Sequence, residues 1–328
     1  MPRLIDNYER QIDYLRISIT DRCNLRCTYC MPEEGIQPLT HHDVLRFEEI
    51  VRLVQVGAGL GIRHLRLTGG EPLVRKGVVD LVRMLRQVPG IESISMTTNG
   101  VALAPVAQAL REAGLSRVNV SLDTLQPERY AAITRRGRLD DALAGIDAAL
   151  SVGLTPVKIN MVVVKGVNED EAVDFARMSL ERPWHVRFIE FMPLGEHAEQ
   201  ARRAYVSSDE TRAEIEAVLG TLEPAEIVAH GPARTWRLPG AVGTIGFISA
   251  LSEHFCGACN RLRLTSDGKL VPCLFSDQEY DLRGPIRTGA DDAALRALWE
   301  SVIASKPDGH HLEGALTTTE HRMSQIGG

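Results

Sequence analysis

Over its first 190 residues the chain keeps alternating a short run of apolar and polar residues with a longer amphipathic stretch, and glycines punctuate the joins. The short runs predict strands near 14–20, 63–69, 91–97, 116–122, 155–164 and 184–191. The longer ones predict helices at about 43–59, 76–88, 103–113, 138–151 and 169–181, with Gly61, Gly90, Gly114 and Gly153 as terminators. Strands alternating with helices make a parallel sheet with crossover connections. Six such units fall short of the eight that close a TIM barrel. The expected class is therefore α/β, a partial (βα)6 TIM-type barrel left open on one side.

Within the strands, period-two alternation separates two faces. Leu15, Ile17 and Ile19, then Leu65 and Leu67, then Val118, Val120 and Leu122, then Val157, Ile159, Met161 and Val163 should meet the helices. The opposite faces are polar in all six, and they carry Arg16, Arg66, Lys158 and Arg187. Unpartnered cations inside a barrel cost several kcal/mol apiece, so an anionic occupant is expected, a polyphosphate or several carboxylates. Faces that merely look at solvent are the alternative, which parallel strands flanked by helices seldom provide.

All six cysteines fall into two triplets, Cys23, Cys27, Cys30 and Cys256, Cys259, Cys273. The N-terminal residues lack the apolar core of a signal peptide, so reduced thiols in a cytoplasmic protein are expected. Two metal sites with three cysteine ligands each then fit better than disulfides. A net charge of −6 argues against a general nucleic-acid binder, and no apolar run is long enough to span a bilayer.

Three thiolates either recruit a distant fourth ligand for zinc or leave one corner of an iron–sulfur cubane open. The run C-x3-C-x2-C resembles the signature of the radical S-adenosylmethionine (SAM) enzymes. At the ends of the second and third strands sit two turns, Gly69-Gly70-Glu71-Pro72 and Thr97-Thr98-Asn99-Gly100. The glycines of the first let backbone approach a ligand closely, and Glu71 can oppose a cation.

Beyond about 192 the pattern loosens, with a helix at 208–219 and a soft boundary near 230. Short strands follow at 234–238, 243–249, 261–265 and 269–273, then a helix at about 291–305 and a polar tail. A hairpin across Asp267-Gly268 would bring Cys273 back beside Cys256 and Cys259. Zinc, with His254 as fourth ligand, is the alternative there. Arg261 and Arg263 share one side of their strand and add to the cationic lumen if this part closes the barrel; a solvated strand face is the duller reading.

Together the two triplets, the GGEP turn, Asn260-Arg261-Leu262-Arg263-Leu264 and the terminal Gly327-Gly328 resemble the GTP 3′,8-cyclase family, the molybdenum cofactor biosynthesis A proteins. That resemblance implies a barrel domain over 1–230 and a C-terminal domain over 231–328 that closes the open side. It implies two [4Fe-4S] clusters, one on Cys23, Cys27 and Cys30 and a second on Cys256, Cys259 and Cys273. SAM would lie against Tyr29, Gly70, Ser121 and Met192. GTP would lie against Arg16, Arg66, Thr97, Lys158, Arg187, Arg261, Leu262 and Arg263. Arg261, Arg263, Gly327 and Gly328 carry over as catalytic.

The reaction implied is reductive cleavage of SAM, hydrogen abstraction from C3′ of the GTP ribose and closure of C3′ onto C8. A reductase as electron donor, cyclic pyranopterin monophosphate synthase as the next enzyme and a homodimer are implied in the same way. A radical SAM enzyme with an auxiliary cluster and a peptide substrate would share both triplets, yet it has no use for four lumen cations.

Overall fold

The computed structural model describes residues 3–194, 198–225 and 231–310. Six strands, β1 (Tyr14–Ser18), β2 (His64–Thr68), β3 (Ser93–Thr98), β4 (Arg117–Ser121), β5 (Val157–Val163) and β6 (Trp184–Glu190), lie side by side in chain order. All five pairings are parallel. Helices α1 (Phe47–Leu60), α2 (Val78–Arg86), α3 (Ala107–Glu112), α4 (Pro127–Thr134), α5 (Leu139–Ser151) and α6 (Ala172–Glu181) make the crossovers. Each strand and four of the five expected helices fall where the periodicity predicts them, while α3 is shorter than expected because a 3-10 turn at Ala104–Val106 precedes it.

The helix α4 is an addition. It is short and weakly amphipathic, so periodicity misses it, although Pro127 in its first turn is a helix-start signal.

Downstream come α7 (Ala198–Arg203), α8 (Ser208–Leu219), β7 (Glu223–Pro224), β8 (Arg234–Arg237), β9 (Thr244–Ile248), β10 (Arg261–Leu264), β11 (Lys269–Val271), β12 (Tyr280–Asp281), α9 (Arg283–Arg287) and α10 (Asp292–Ala304). The expected hairpin is present as β10 and β11. Beyond it, β9 adds in parallel to β6 and β10 adds in parallel to β1. Six strands plus one at each edge give eight parallel strands in one sheet. Residues 249–260 therefore run from the C-terminal end of one edge strand to the N-terminal end of the other, crossing the open side.

The outward faces of the strands form the core with the helices. In α2, Val78, Leu81, Val82 and Leu85 recur at helical spacing and are all buried. Leu15, Ile17, Leu65, Leu67, Val118, Val120, Val157 and Ile159 beneath the helices are fully buried. At about 1.5–3 kcal/mol for each large aliphatic side chain, this layer fixes which face points outward. The polar residues are left to line the inside. Among the described residues no helix is long and apolar enough to cross a membrane.

Candidate active site

Register fixes the inner wall rung by rung. Arg263 of β10 stands beside Arg16 of β1, Arg16 beside Arg66 of β2, Arg66 beside Ser95 of β3 and Ser95 beside Arg117 of β4. Further round, Asn119 lies beside Lys158, Lys158 beside His185, and Asn160 beside Arg187. Much of this face is buried: Lys158 and Asn119 are 0% exposed, Arg187 3% and Arg66 7%, while Arg16, Arg117, Asn160 and His185 are half-buried. The wall is also concave. The Tyr14 hydroxyl of β1 reaches the Ser95 hydroxyl of β3 at 3.3 Å across the intervening strand, and Arg187 of β6 feels Arg66 of β2 electrostatically.

Several polar atoms on this wall end without partners. Among the described residues Lys158 Nζ, Arg66 Nε, Thr97 Oγ1 and Asn160 Oδ1 are buried with no hydrogen-bond partner, a costly state unless a ligand completes them. Burial, with Arg187, Arg117 and Arg66 nearby, lowers the Lys158 pKa to about 6. Burial and the same neighbourhood lower Arg187 to about 9, and burial with Arg261 lowers Arg263 to about 9. Positive charge is thus disfavoured on this wall, where water cannot relieve it, and a bound anion would restore it. Arg117 and Tyr14 belong to this wall too. Both stand at the first position of a strand, with the same parity as Asn119 and Arg16, which is the signal that would have found them.

The first triplet lies in the loop that leaves the C-terminal end of β1. Arg26 Nη1 donates to the carbonyls of Cys23 and Leu25, each at 2.8 Å. The backbone N–H groups of Arg26 and Thr28 donate to Thr134 and Ile133 at the end of α4, both at 3.0 Å. The unanticipated helix is therefore the loop's support. Cys23, Cys27 and Cys30 line a cavity of about 210 Å³, together with Tyr29, Gly70, Ser121 and Met192. All four residues expected to meet SAM thus share one cavity with the triplet.

Two carboxyl groups organise that cavity. Glu71, 1% exposed, accepts from Leu73 N (3.0 Å), Thr98 Oγ1 (2.8 Å) and Asn99 N (2.7 Å). It ties the GGEP turn to the Thr97–Gly100 turn; burial, opposed by these donors, raises its pKa to about 7. Asp123 accepts from Tyr29 Oη (2.5 Å) and Val162 N (2.9 Å), and burial raises it to about 6. The GGEP glycines line this cavity and also serve packing. A Cβ at Gly70 would sit 2.4 Å from the Arg22 carbonyl, and one at Gly69, where φ is +151°, 2.4 Å from that of Thr20.

At the opposite end, Cys256 and Cys259 precede β10, while Cys273 follows β11 and returns beside them. All three line a smaller cavity with Arg261, Arg263 and His254, and Met192 is common to both cavities. Burial raises the Cys259 thiol, but Arg261 and Lys306 outweigh it and bring the pKa down to about 6. Leu262 points outward and is fully buried in the core. Because β1 and β10 are parallel, the first triplet follows one strand's C-terminal end and the second pair precedes the other's N-terminal end. A strand of five residues rises about 13 Å between its first and last Cα atoms. The cationic wall lies between the two triplets. Gly327 and Gly328 lie outside the described residues.

Each triplet suits an iron–sulfur cluster. In the first, burial and mutual repulsion hold the Cys27 and Cys30 thiols up, Cys30 to about 12, and iron is the charge that would release those protons. Among the described residues no three cysteine, histidine or carboxylate side chains converge to share one metal ion. A cubane asks for less, since each cysteine takes a different iron.

Residues 17–179 match the Radical SAM superfamily model and residues 184–312 the Molybdenum Cofactor Synthesis C model. The GTP 3′,8-cyclase of Heliobacterium modesticaldum is 53% identical over 99% of this chain and 100% of its own. Those of Moorella thermoacetica and Pelotomaculum thermopropionicum are 53% and 54% identical, each over 98% of this chain and 99% of their own. Among solved structures, Streptococcus suis SuiB bound to its precursor peptide superposes with a TM-score of 0.64 at 13% identity, over 93% of this chain and 67% of that one. At that identity the likeness is one of fold.

Proposed function

We infer the chemistry of the lumen from one premise: the chain belongs to the GTP 3′,8-cyclase family of the radical SAM superfamily. It is an enzyme of molybdenum cofactor biosynthesis, and its reaction is the 3′,8-cyclisation of GTP. The family works with SAM and a [4Fe-4S] cluster. When bound, that pair supplies one-electron cleavage of SAM and so the hydrogen abstraction at C3′ of the ribose.

Cys23, Cys27 and Cys30 hold that cluster, and Tyr29, Gly70, Ser121 and Met192 form the SAM wall beside it. Arg16, Arg66, Lys158 and Arg187 take the triphosphate, with Thr97 as a neutral donor. Arg261 and Arg263 carry the positive wall to the second triplet, where a second [4Fe-4S] cluster on Cys256, Cys259 and Cys273 meets the guanine. Leu262 supports the strand from the core side. Functionally, residues 1–230 bind SAM and the phosphates while 231–328 present the base and close the barrel. Fixing the nucleotide at both ends positions C3′ and keeps water and stray hydrogen donors away. A cytoplasmic reductase as electron source and cyclic pyranopterin monophosphate synthase as consumer of the product complete the reading.

One observation carries it: among the described residues Lys158 Nζ and Arg66 Nε are buried without a hydrogen-bond partner, on a wall that lies between two cysteine triplets. Anaerobic incubation with GTP, SAM and reductant should yield 5′-deoxyadenosine and the cyclised nucleotide, from protein holding about eight irons. Calorimetry should show GTP binding; a protein that ignores GTP and modifies a peptide would overturn the substrate assignment. Gly327 and Gly328 belong to the same proposal as catalytic residues. Deleting both should abolish cyclisation with the iron content unchanged, and normal product formation by the truncated chain would remove them from the mechanism.

A further inference from the structure

Lys306, one of five lysines in the chain, is 3% exposed just beyond α10. Its ammonium donates to the carbonyl of Pro272 at 2.7 Å, the carbonyl of Arg261 at 2.9 Å and the sulfur of Cys259 at 3.6 Å. These acceptors use all three of its N–H groups. Two are carbonyls and one is a thiol; none is a carboxylate among the described residues.

The acceptors have a common address. Arg261 opens β10 two residues after Cys259, and Pro272 precedes Cys273 at the end of β11. One side chain thus spans the two strand ends that carry two cysteines of the second triplet. The third cysteine is held by another buried cation. Arg10 donates through Nη1 to the carbonyls of Cys256 (2.9 Å) and Asp308 (3.0 Å), and through Nη2 to that of Pro307 (2.6 Å). It therefore also grips the two residues after Lys306. Asp6 fixes Arg10 from behind at 2.6 Å. On the other side α10 is anchored by Leu295, Trp299, Val302 and Ile303, all buried.

We propose that Lys306 is the positioning residue of the second triplet, holding Cys259 and Cys273 at the separation a cluster needs and raising that cluster's reduction potential through its hydrogen bond to Cys259. The proposal rests on the reading of the second triplet as a cluster site. An N–H donor and a fixed positive charge at a ligating sulfur stabilise the more negative, reduced cluster. A buried lysine with no carboxylate partner among the described residues also matches an anionic cluster as counter-charge.

The test uses the full-length chain with Cys23, Cys27 and Cys30 replaced by alanine, so that only the second cluster reports. This background should retain about four irons; if it holds none, the two-cluster reading falls and the inference falls with it. Adding Lys306→Met should shift the potential, measured by spectroscopically monitored redox titration, to more negative values, or should empty the site in a chain whose circular dichroism is unchanged. Lys306→Gln, which keeps a neutral donor, should give a smaller shift with the iron retained. A background that holds its cluster while Lys306→Met changes neither potential nor iron content would overturn the inference. So would loss of iron only through unfolding in both variants.

Discussion

Lys158→Met is expected to yield a protein that melts at a higher temperature than wild type and binds GTP far more weakly. Lys158 is fully buried, its Nζ has no hydrogen-bond partner among the described residues, and the groups bearing on it are Arg187, Arg117 and Arg66. A pKa lowered from 10.5 to about 6 means that between those values the unfolded chain carries a proton the folded one has shed. Wild-type stability from this group therefore rises with pH across that window. The penalty is complete below about pH 6 and vanishes near 10.5, so methionine should stabilise most at pH 6 and little at pH 10. A nucleotide triphosphate reverses the preference by giving the ammonium its counter-charge. GTP binding at pH 8 should then take up about one proton, read by calorimetry in buffers of different ionisation enthalpy, and the variant should take up none. Losing one side of a buried charge pair costs about 2–5 kcal/mol, at least roughly a 30-fold loss of affinity. Unchanged melting at pH 6 together with unchanged affinity for GTP would show that Lys158 does not face the phosphates.

Period-two alternation exposed this wall in the sequence because a strand cannot hide which residues share a face. Arg16, Arg66, Lys158 and Arg187 were legible that way, as was the return of Cys273 through a turn at Asp267-Gly268. Arg117 and Tyr14 share the parity of Asn119 and Arg16 and were open to the same reading, but each opens its strand, where alternation has only one neighbour to be judged against. The edge pairings of β9 and β10 leave no periodic trace at all. They join residues far apart in the chain, and only the folded sheet shows that Arg263 and Arg16 share a rung. Glu71 illustrates the same limit. Its place in a turn was plain, but its use as a clasp on Thr98 and Asn99 depends on a second turn twenty-seven residues on. The role of α4 beneath the cysteine loop was likewise hidden, because its contacts to Arg26 and Thr28 are made by backbone carbonyls that carry no residue identity.

Gly70→Ala should empty the first cluster site while leaving the second. A Cβ at Gly70 falls 2.4 Å from the Arg22 carbonyl oxygen and 2.7 Å from that of Asp21. Both are backbone atoms, so no rotamer change relieves the clash and the turn or the loop must move. What moves is the entry to the triplet. Gly70 N donates to Thr20 O and Glu71 N to Arg22 O, each at 2.8 Å, and Cys23 follows directly. Asn99 Nδ2 reaches Asn24 Oδ1 at 2.8 Å from the second turn, which Glu71 positions, so the displacement propagates to both sides of Cys23. Iron should fall from about eight to about four per chain, and methionine formation from SAM should drop below detection. GTP should still bind, because the cations stand on strands rather than on the displaced turn. Retention of the remaining iron and of GTP binding reports that the barrel has folded. A Gly70→Ala protein with its full complement of iron and wild-type SAM cleavage would mean that the GGEP turn does not set the geometry of the cysteine loop.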